Sequence, residues 1–399
     1  MGGYLTLSVY SPLQSLILGL VFGIGITGLG RVVLALALRG VSIRSAESFL
    51  AGWLVLFLGT LIAGLTHQIN ATVTTVIWIV LLGGSIAQLA HWRQILRVST
   101  VKVSSLWKDE KAFLLVCGFI GLVIAMHLLV AMAPTSRHDE NAYHVLIPWR
   151  LLTENAITVH PLPFEGSVMS QLGWQLLQVW LHAISAASAA AIASLVAACL
   201  AVYRCASIVW HYTNSRLLAA FVGLSTFSSG LSIVFMTTIG AHGLQFLACV
   251  ILCEYAILGR SCIERKGLAN YIAGAGLSSV TLLMVKLPLA ILAVCAIFLV
   301  LFHTWKWKRN WRHPIGAAIS IAVIGLIALP LTFLTWIQTG SPGGVTTALA
   351  FGSPMFWDGE TLAAYAATLS SAVETRRFLW TYELAYNNLY MIIGTVAFP

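Results

Sequence analysis

The sequence predicts an all-α fold, a polytopic bundle of about ten transmembrane helices with amphipathic helices along its outer face. Three observations predict it. Hydrophobic residues make up 59% of the 399-residue chain and charged residues only 9%, against roughly 25% charged in soluble domains; mean hydropathy is +0.90. Apolar runs of about 18 residues or more, enough to cross a bilayer, recur along most of the chain. Cations gather in the short loops between them.

The predicted spans are 13–31, 47–66, 71–91, 112–133, 188–210, 216–236, 240–259, 268–285, 287–304 and 315–336. No small-residue cleavage site follows the first, so it is expected to stay in the protein. Lys and Arg fall in the loops 39–46, 92–111, 211–216, 260–267 and 305–313, the last reading WKWKRNWRH. With those loops cytoplasmic, every cation except Arg137, Arg150, Lys286, Arg376 and Arg377 lies toward that side, 17 of 22. Cytoplasmic loops of membrane proteins carry such an excess. The N-terminus and the 133–187 segment are therefore expected outside, in a multi-pass protein of the inner or plasma membrane. The net charge of +9 reads as a topology signal, not as a nucleic-acid surface.

Residues 172–187 (LGWQLLQVWLHAISAA) tempt an eleventh span, but a crossing there would invert every later basic loop. A helix at the interface or folded back is expected, with Trp174 and Trp180 at interfacial depth. After the last span, 337–384 forms a second outer segment, and the closing AYNNLYMIIGTVAFP reads as half of a span cut short. The chain thus divides into 1–111, three helices and a basic loop; 112–336, a core carrying the outer loop 133–187; and 337–399. The span interiors read as lacking charge except near their ends. Glu254, near an inner end, is expected to pair with Arg260 or to snorkel.

Polar chemistry concentrates in 133–171, where Arg137, His138, Asp139, Glu140, His144, Arg150, Glu154, His160 and Glu165 fall between long apolar runs. Ser136-x-x-Asp139 has the form of a capping box. It predicts a helix from about Arg137 to Thr153, bent at Pro148, with Val145, Leu146, Trp149 and Leu152 against lipid or neighbouring helices. On spacing alone, Asp139 and Glu140 serve the helix macrodipole as well as they serve chemistry. His138, Asp139, Glu140 and His144 offer ligands to a divalent metal, but at no recognised metal spacing. Adjacent carboxylates fit a two-carboxylate glycosidase poorly. The seven cysteines lie in or beside apolar runs and read as packing residues. Lys286 reads equally as a snorkelling cation and as a phosphate contact.

The run Asp139-Glu140-x-x-Tyr143-His144, then Ile147-Pro148, His160-Pro161 and Ser170-Gln171 before an apolar helix, resembles the first outer loop of GT-C fold glycosyltransferases. It is especially similar to bacterial membrane proteins of the dolichyl-phosphate-mannose–protein mannosyltransferase type. Gly274, Gly276 and Lys286, and the TGSP at 339–342, fit further patterns of that family. The resemblance covers roughly 112–345. Three spans precede the helix that comes first in that family, and where a second acid often stands this chain has TTIGAHGLQ, with His242.

The resemblance implies transfer of a sugar from a polyprenyl-phosphate donor held in the lipid bilayer to a protein or glycolipid acceptor on the outer side, by an inverting displacement. It implies Asp139 as general base, supported by Glu140, with Tyr143 and His160 near the acceptor. Lys286, Arg137, His144, Arg376 and Arg377 are its candidate cations for the leaving phosphate. A secondary transporter or lipid flippase, or a non-catalytic assembly protein of the same fold, are the competing readings.

Overall fold

The computed structural model describes residues 11–38, 44–98, 110–133, 144–157, 172–229, 236–285 and 289–339. Every regular element among them is helical. In chain order they are α1 (Pro12–Ala37), α2 (Ser45–Leu65), α3 (Ala71–Val98), α4 (Lys111–Ala131), α5 (Leu146–Glu154), α6 (Gly173–His182) and α7 (Ala189–Thr213). There follow α8 (Arg216–Ser228), α9 (His242–Lys266), α10 (Leu268–Val285), α11 (Ala290–Lys308), α12 (Arg312–Gly325) and α13 (Leu329–Thr339). Among the described residues nine helical stretches are long and apolar enough to cross a membrane, α12 and α13 counting as one. They match nine of the ten predicted spans. The sixth differs: α8 has 13 residues, short of the roughly 20 needed to span, and 230–235 lie outside the described residues.

Local chemistry explains the helix ends. Ser11 Oγ accepts the Gln14 N–H ahead of Pro12, and Ser215 Oγ accepts the Leu218 N–H, satisfying donors that have no partner in a first turn. A 3-10 turn, Leu326–Ala328, joins α12 to α13 just ahead of Pro330, which has no N–H to continue an α-helical ladder. In α9, Gly259 adopts φ +24° and ψ −97°, and the His303 ring of α11 fills the space where a Cβ would stand. His303 Nε2 lies 3.0 Å from the Ala256 carbonyl beside this kink.

Glycines set the helix spacing. In α1, Gly28 lies against the Gly84 carbonyl of α3 and Gly30 against the Ser48 carbonyl of α2; a Cβ at either would collide with backbone. Such small residues let membrane helices pack at close range, where dispersion replaces the missing hydrophobic drive. On its other side α1 meets α7, with Ser15 Oγ 2.6 Å from Ser188 Oγ. The Gly243 N–H of α9 donates to Ser194 Oγ of α7. The pairings 25 with 81 and 28 with 84, 19 with 192 and 23 with 196, and 194 with 243 and 204 with 254 each advance together, which makes α1, α3, α7 and α9 parallel. Their C-terminal ends lie at the end of the bundle that carries Arg44, Arg216 and Arg260, called here the basic end; the opposite end is the far end.

α6 is unusual. At ten residues it is about 15 Å long, half the hydrocarbon thickness, yet Gly173 through Leu181 are all buried. The sequence expectation of a helix that does not cross holds. Its tryptophans, expected at interfacial depth, are packed within the protein: Trp174 and Trp180 are both 0% exposed. Trp180 Nε1 donates to Thr60 Oγ1 of α2 at 2.7 Å, and Trp78 of α3 donates to the Trp180 carbonyl at 3.1 Å. α6 is walled in by α2, α5 and α10.

Candidate functional site

The far end collects the described neighbours of the predicted site. α5 begins after a short π-helical turn at His144 and Val145. Its end at Glu154 matches the predicted end near Thr153. Pro148 falls in its first turn, where a missing N–H costs nothing, so it does not bend the described helix. Ile147, Pro148 and Leu151 are buried, α5 packs on α6, and Leu146 and Trp149 remain exposed. Arg150 and Glu154 lie 3.4 Å apart along one face. Partial burial lowers the Arg150 pKa, opposed by Glu154. Beyond the helix, Asn155 takes a left-handed conformation and its Nδ2 donates to the His67 carbonyl in the α2–α3 turn at 2.7 Å. Ile157 packs over Gly64.

Two other stretches meet α6 there. Trp174 Nε1 and Gln178 Nε2 both donate to the Ile239 carbonyl, at 2.8 and 2.7 Å. This anchors the Thr237–Ala241 turn, with the His242 ring folded over Gly240. The Met284 carbonyl, at the end of α10, lies against Gly173; Lys286 follows two residues later in sequence. His182 closes α6, its Nδ1 2.9 Å from the Gln178 carbonyl. Burial lowers its pKa, opposed by that bond.

Of the predicted site residues, His144 alone is described, half-buried at the head of α5. Asp139, Glu140, Arg137, Tyr143, His160, Lys286, Arg376 and Arg377 lie outside the described residues, as does the predicted Ser136 cap. Among the described residues no three His, Cys, Asp or Glu side chains are grouped to hold a metal. None of the seven cysteines is in a disulfide.

Toward the basic end lies a second polar group that sequence reasoning missed. Arg204 of α7, 1% exposed, donates through Nε to Glu254 Oε2 of α9 at 2.5 Å and through Nη2 to Glu47 Oε1 of α2 at 2.8 Å. The Tyr255 hydroxyl donates to the same Glu47 oxygen at 2.7 Å. Tyr271 of α10 meets the Tyr255 ring edge-on and donates to its backbone carbonyl at 2.9 Å. Gly274 leaves the room that the Tyr255 ring occupies, a packing reason for one glycine singled out by family resemblance. The expected Glu254–Arg260 pair does not form: Arg260 bonds Glu264 one turn on, at 2.7 Å. The expectation that charges in the spans lie near their ends is met: Arg31 and Glu47 stand at predicted span ends, and Arg204 and Glu254 within two turns of theirs. At the same level Arg31 of α1 donates to Gln88 Oε1 and to Ser45 Oγ. Desolvating charges is costly unless they are paired and hydrogen-bonded, and the network supplies those bonds across four helices.

Among the described residues, nine apolar stretches of spanning length around internal polar links define a polytopic helical membrane protein. No family model, curated protein or solved structure matches the chain.

Proposed function

We propose that this protein is a membrane glycosyltransferase of GT-C type. It moves a sugar from a polyprenyl-phosphate donor to a protein or glycolipid acceptor at the far end of the bundle, taken as the outer face. Asp139 is the general base and Glu140 its support, with Tyr143 and His160 toward the acceptor. Lys286, Arg137, His144 and the Arg376–Arg377 pair are candidates for the departing phosphate. The observation that carries the reading is a convergence at α6. The helix that follows Asp139–Glu140, the α10 end that precedes Lys286, and the turn before His242 all pack on this one buried helix. The stretches that carry Asp139–Glu140 and Lys286, joined by family resemblance, and the turn where this chain has His242 in place of that family's second acid are thus neighbours at their described ends.

A carboxylate at a membrane rim can take the acceptor hydroxyl's proton while cations receive the leaving phosphate. The test is sugar transfer by purified, reconstituted protein given a polyprenyl-phosphate sugar and a candidate acceptor. Transfer that persists unchanged in Asp139→Asn and Glu140→Gln overturns the assignment.

One observation favours a second reading, a secondary transporter or lipid flippase. The Glu47–Arg204–Glu254 network puts ionisable groups inside the bundle, and such groups mark ion pathways in pumps and transporters. Solute or lipid translocation by the reconstituted protein, without sugar transfer and abolished in Glu254→Gln, would select it. A non-catalytic assembly role is what remains if neither activity is found.

A further inference from the structure

We propose that the α11–α12 corner is a binding site for anionic lipid headgroups, with Lys306, Arg309 and Arg312 as its cations and Trp305 and Trp311 as its anchors. The segment 305–313, WKWKRNWRH, contains Lys306, Lys308, Arg309, Arg312 and His313 and no acidic residue. Elsewhere at the basic end Arg216 is paired with Glu110 at 2.9 Å and Arg260 with Glu264. Among the described residues no carboxylate lies within ion-pair distance of Lys306, Arg309 or Arg312, and all three are exposed.

The corner holds its cations in a fixed turn. Arg309 ends α11 in a left-handed conformation, its N–H donating to the Trp305 carbonyl at 2.8 Å. Asn310 Oδ1 accepts the Arg312 N–H at 3.0 Å, and the Ile315 N–H donates to the Trp311 carbonyl at 3.2 Å, starting α12. Three exposed cations at one helix–helix corner, with no carboxylate within ion-pair distance among the described residues, leave a positive potential there that an anion offsets. The C-terminal dipole of α11 offsets part of that potential but acts only within the last turn, and Arg312 lies beyond it. Trp305 and Trp311 lie 5.6 Å apart, ring planes tilted by 35°, and Trp311 is 68% exposed. Paired indoles beside unpaired cations at the end of two apolar helices match the chemistry of a headgroup layer. The rings sit among carbonyls and upper chains, and the cations meet phosphate.

The test places the full-length protein in nanodiscs of phosphatidylcholine containing either brominated phosphatidylglycerol or, at equal bromine content, brominated phosphatidylcholine. The part of the tryptophan fluorescence that is lost in a Trp311→Phe variant is compared between the two. The proposal expects several-fold stronger quenching of this part by the brominated anionic lipid. It also expects the preference to fall to parity in Lys306→Gln/Arg309→Gln/Arg312→Gln and to fade in high salt. Equal quenching of the wild type by the two lipids overturns it. That comparison needs no variant of the cations, so it stands even if the triple substitution misfolds. A preference that survives in a folded triple variant assigns it to other residues and overturns the site. None of these readouts involves sugar transfer.

Discussion

Arg204 and Glu254 meet at 2.5 Å in the packed interior between α7 and α9, 50 positions apart in sequence. Glu47 completes the link from α2. Arg204→Met leaves two carboxylates buried against each other, and the loss of one partner from a buried pair costs about 3–5 kcal/mol. We expect a sharply lower unfolding temperature in detergent. Replacing both acids as well, with Glu47→Gln and Glu254→Gln, should recover most of it, because no uncompensated charge then stays inside. Unfolding of Arg204→Met at the wild-type temperature would show that the network holds nothing together.

Gly28 and Gly59 give opposite expectations for one substitution. A Cβ at Gly28 meets the Gly84 carbonyl, whereas at Gly59 it meets nothing within 4 Å. Gly28→Ala should force α1 and α3 apart and cost about 1–3 kcal/mol. Gly59→Ala should be neutral or stabilise by up to about 1 kcal/mol, from helix propensity alone. Thermal unfolding of the two variants side by side reads the difference.

The Ile239 carbonyl accepts two side-chain donors from α6. Trp174→Phe or Gln178→Leu alone leaves the other donor in place and should cost about 1 kcal/mol for the bond itself. The double variant strips both donors from a buried acceptor, so its loss should exceed the sum of the singles. Additive losses in a double-mutant cycle would mean that the carbonyl finds another donor.

His182 carries a pH signature. Burial holds its folded-state pKa below the ordinary 6.5. Above about pH 6.5 both folded and unfolded forms are neutral and the full stability is present. As pH falls below that value the unfolded chain takes up a proton that the folded one resists, and stability is lost down to the folded pKa. The fall in unfolding temperature between about pH 7 and pH 5 should therefore be shallower in His182→Gln than in the wild type. Identical slopes would exclude His182 as the group responsible.

Under the glycosyltransferase reading, Asp139→Asn should lower the transfer rate by about 10²–10⁴-fold, the range for loss of a general base. Donor binding should change much less, as read by retention of a fluorescent polyprenyl-phosphate sugar. A loss confined to donor binding would move Asp139 from catalysis to recognition.

Nine spans could be read from apolar length alone, because a bilayer imposes that length on any crossing helix. α6 was legible as a helix that does not cross, from the loop charges on either side of it. Its surroundings were not. Trp174 and Trp180 have the composition of an interfacial belt, and only the walls supplied by α2, α5 and α10 turn them into core. The Glu47–Arg204–Glu254 network was hidden for a related reason. Each residue stands alone in an apolar run within reach of a span end, the pattern of a snorkelling side chain. Its partners lie 50 and 157 positions away, and only the parallel arrangement of α7 and α9 brings them level. The candidate catalytic loop was found from residue pattern and family resemblance, and the structure describes its flanks and His144.

The hydrogen bonds of α6 bear on how this chain can be divided. Trp180 takes its acceptor from α2 and gives its carbonyl to α3, while Asn155 holds the turn between those two helices. All of these partners lie ahead of residue 112. A version trimmed to start at residue 112 would uncover the Trp180 indole and leave its Nε1–H without the Thr60 acceptor. The three leading helices thus supply part of the hydrogen-bonded wall of α6, and removing them is expected to destabilise it.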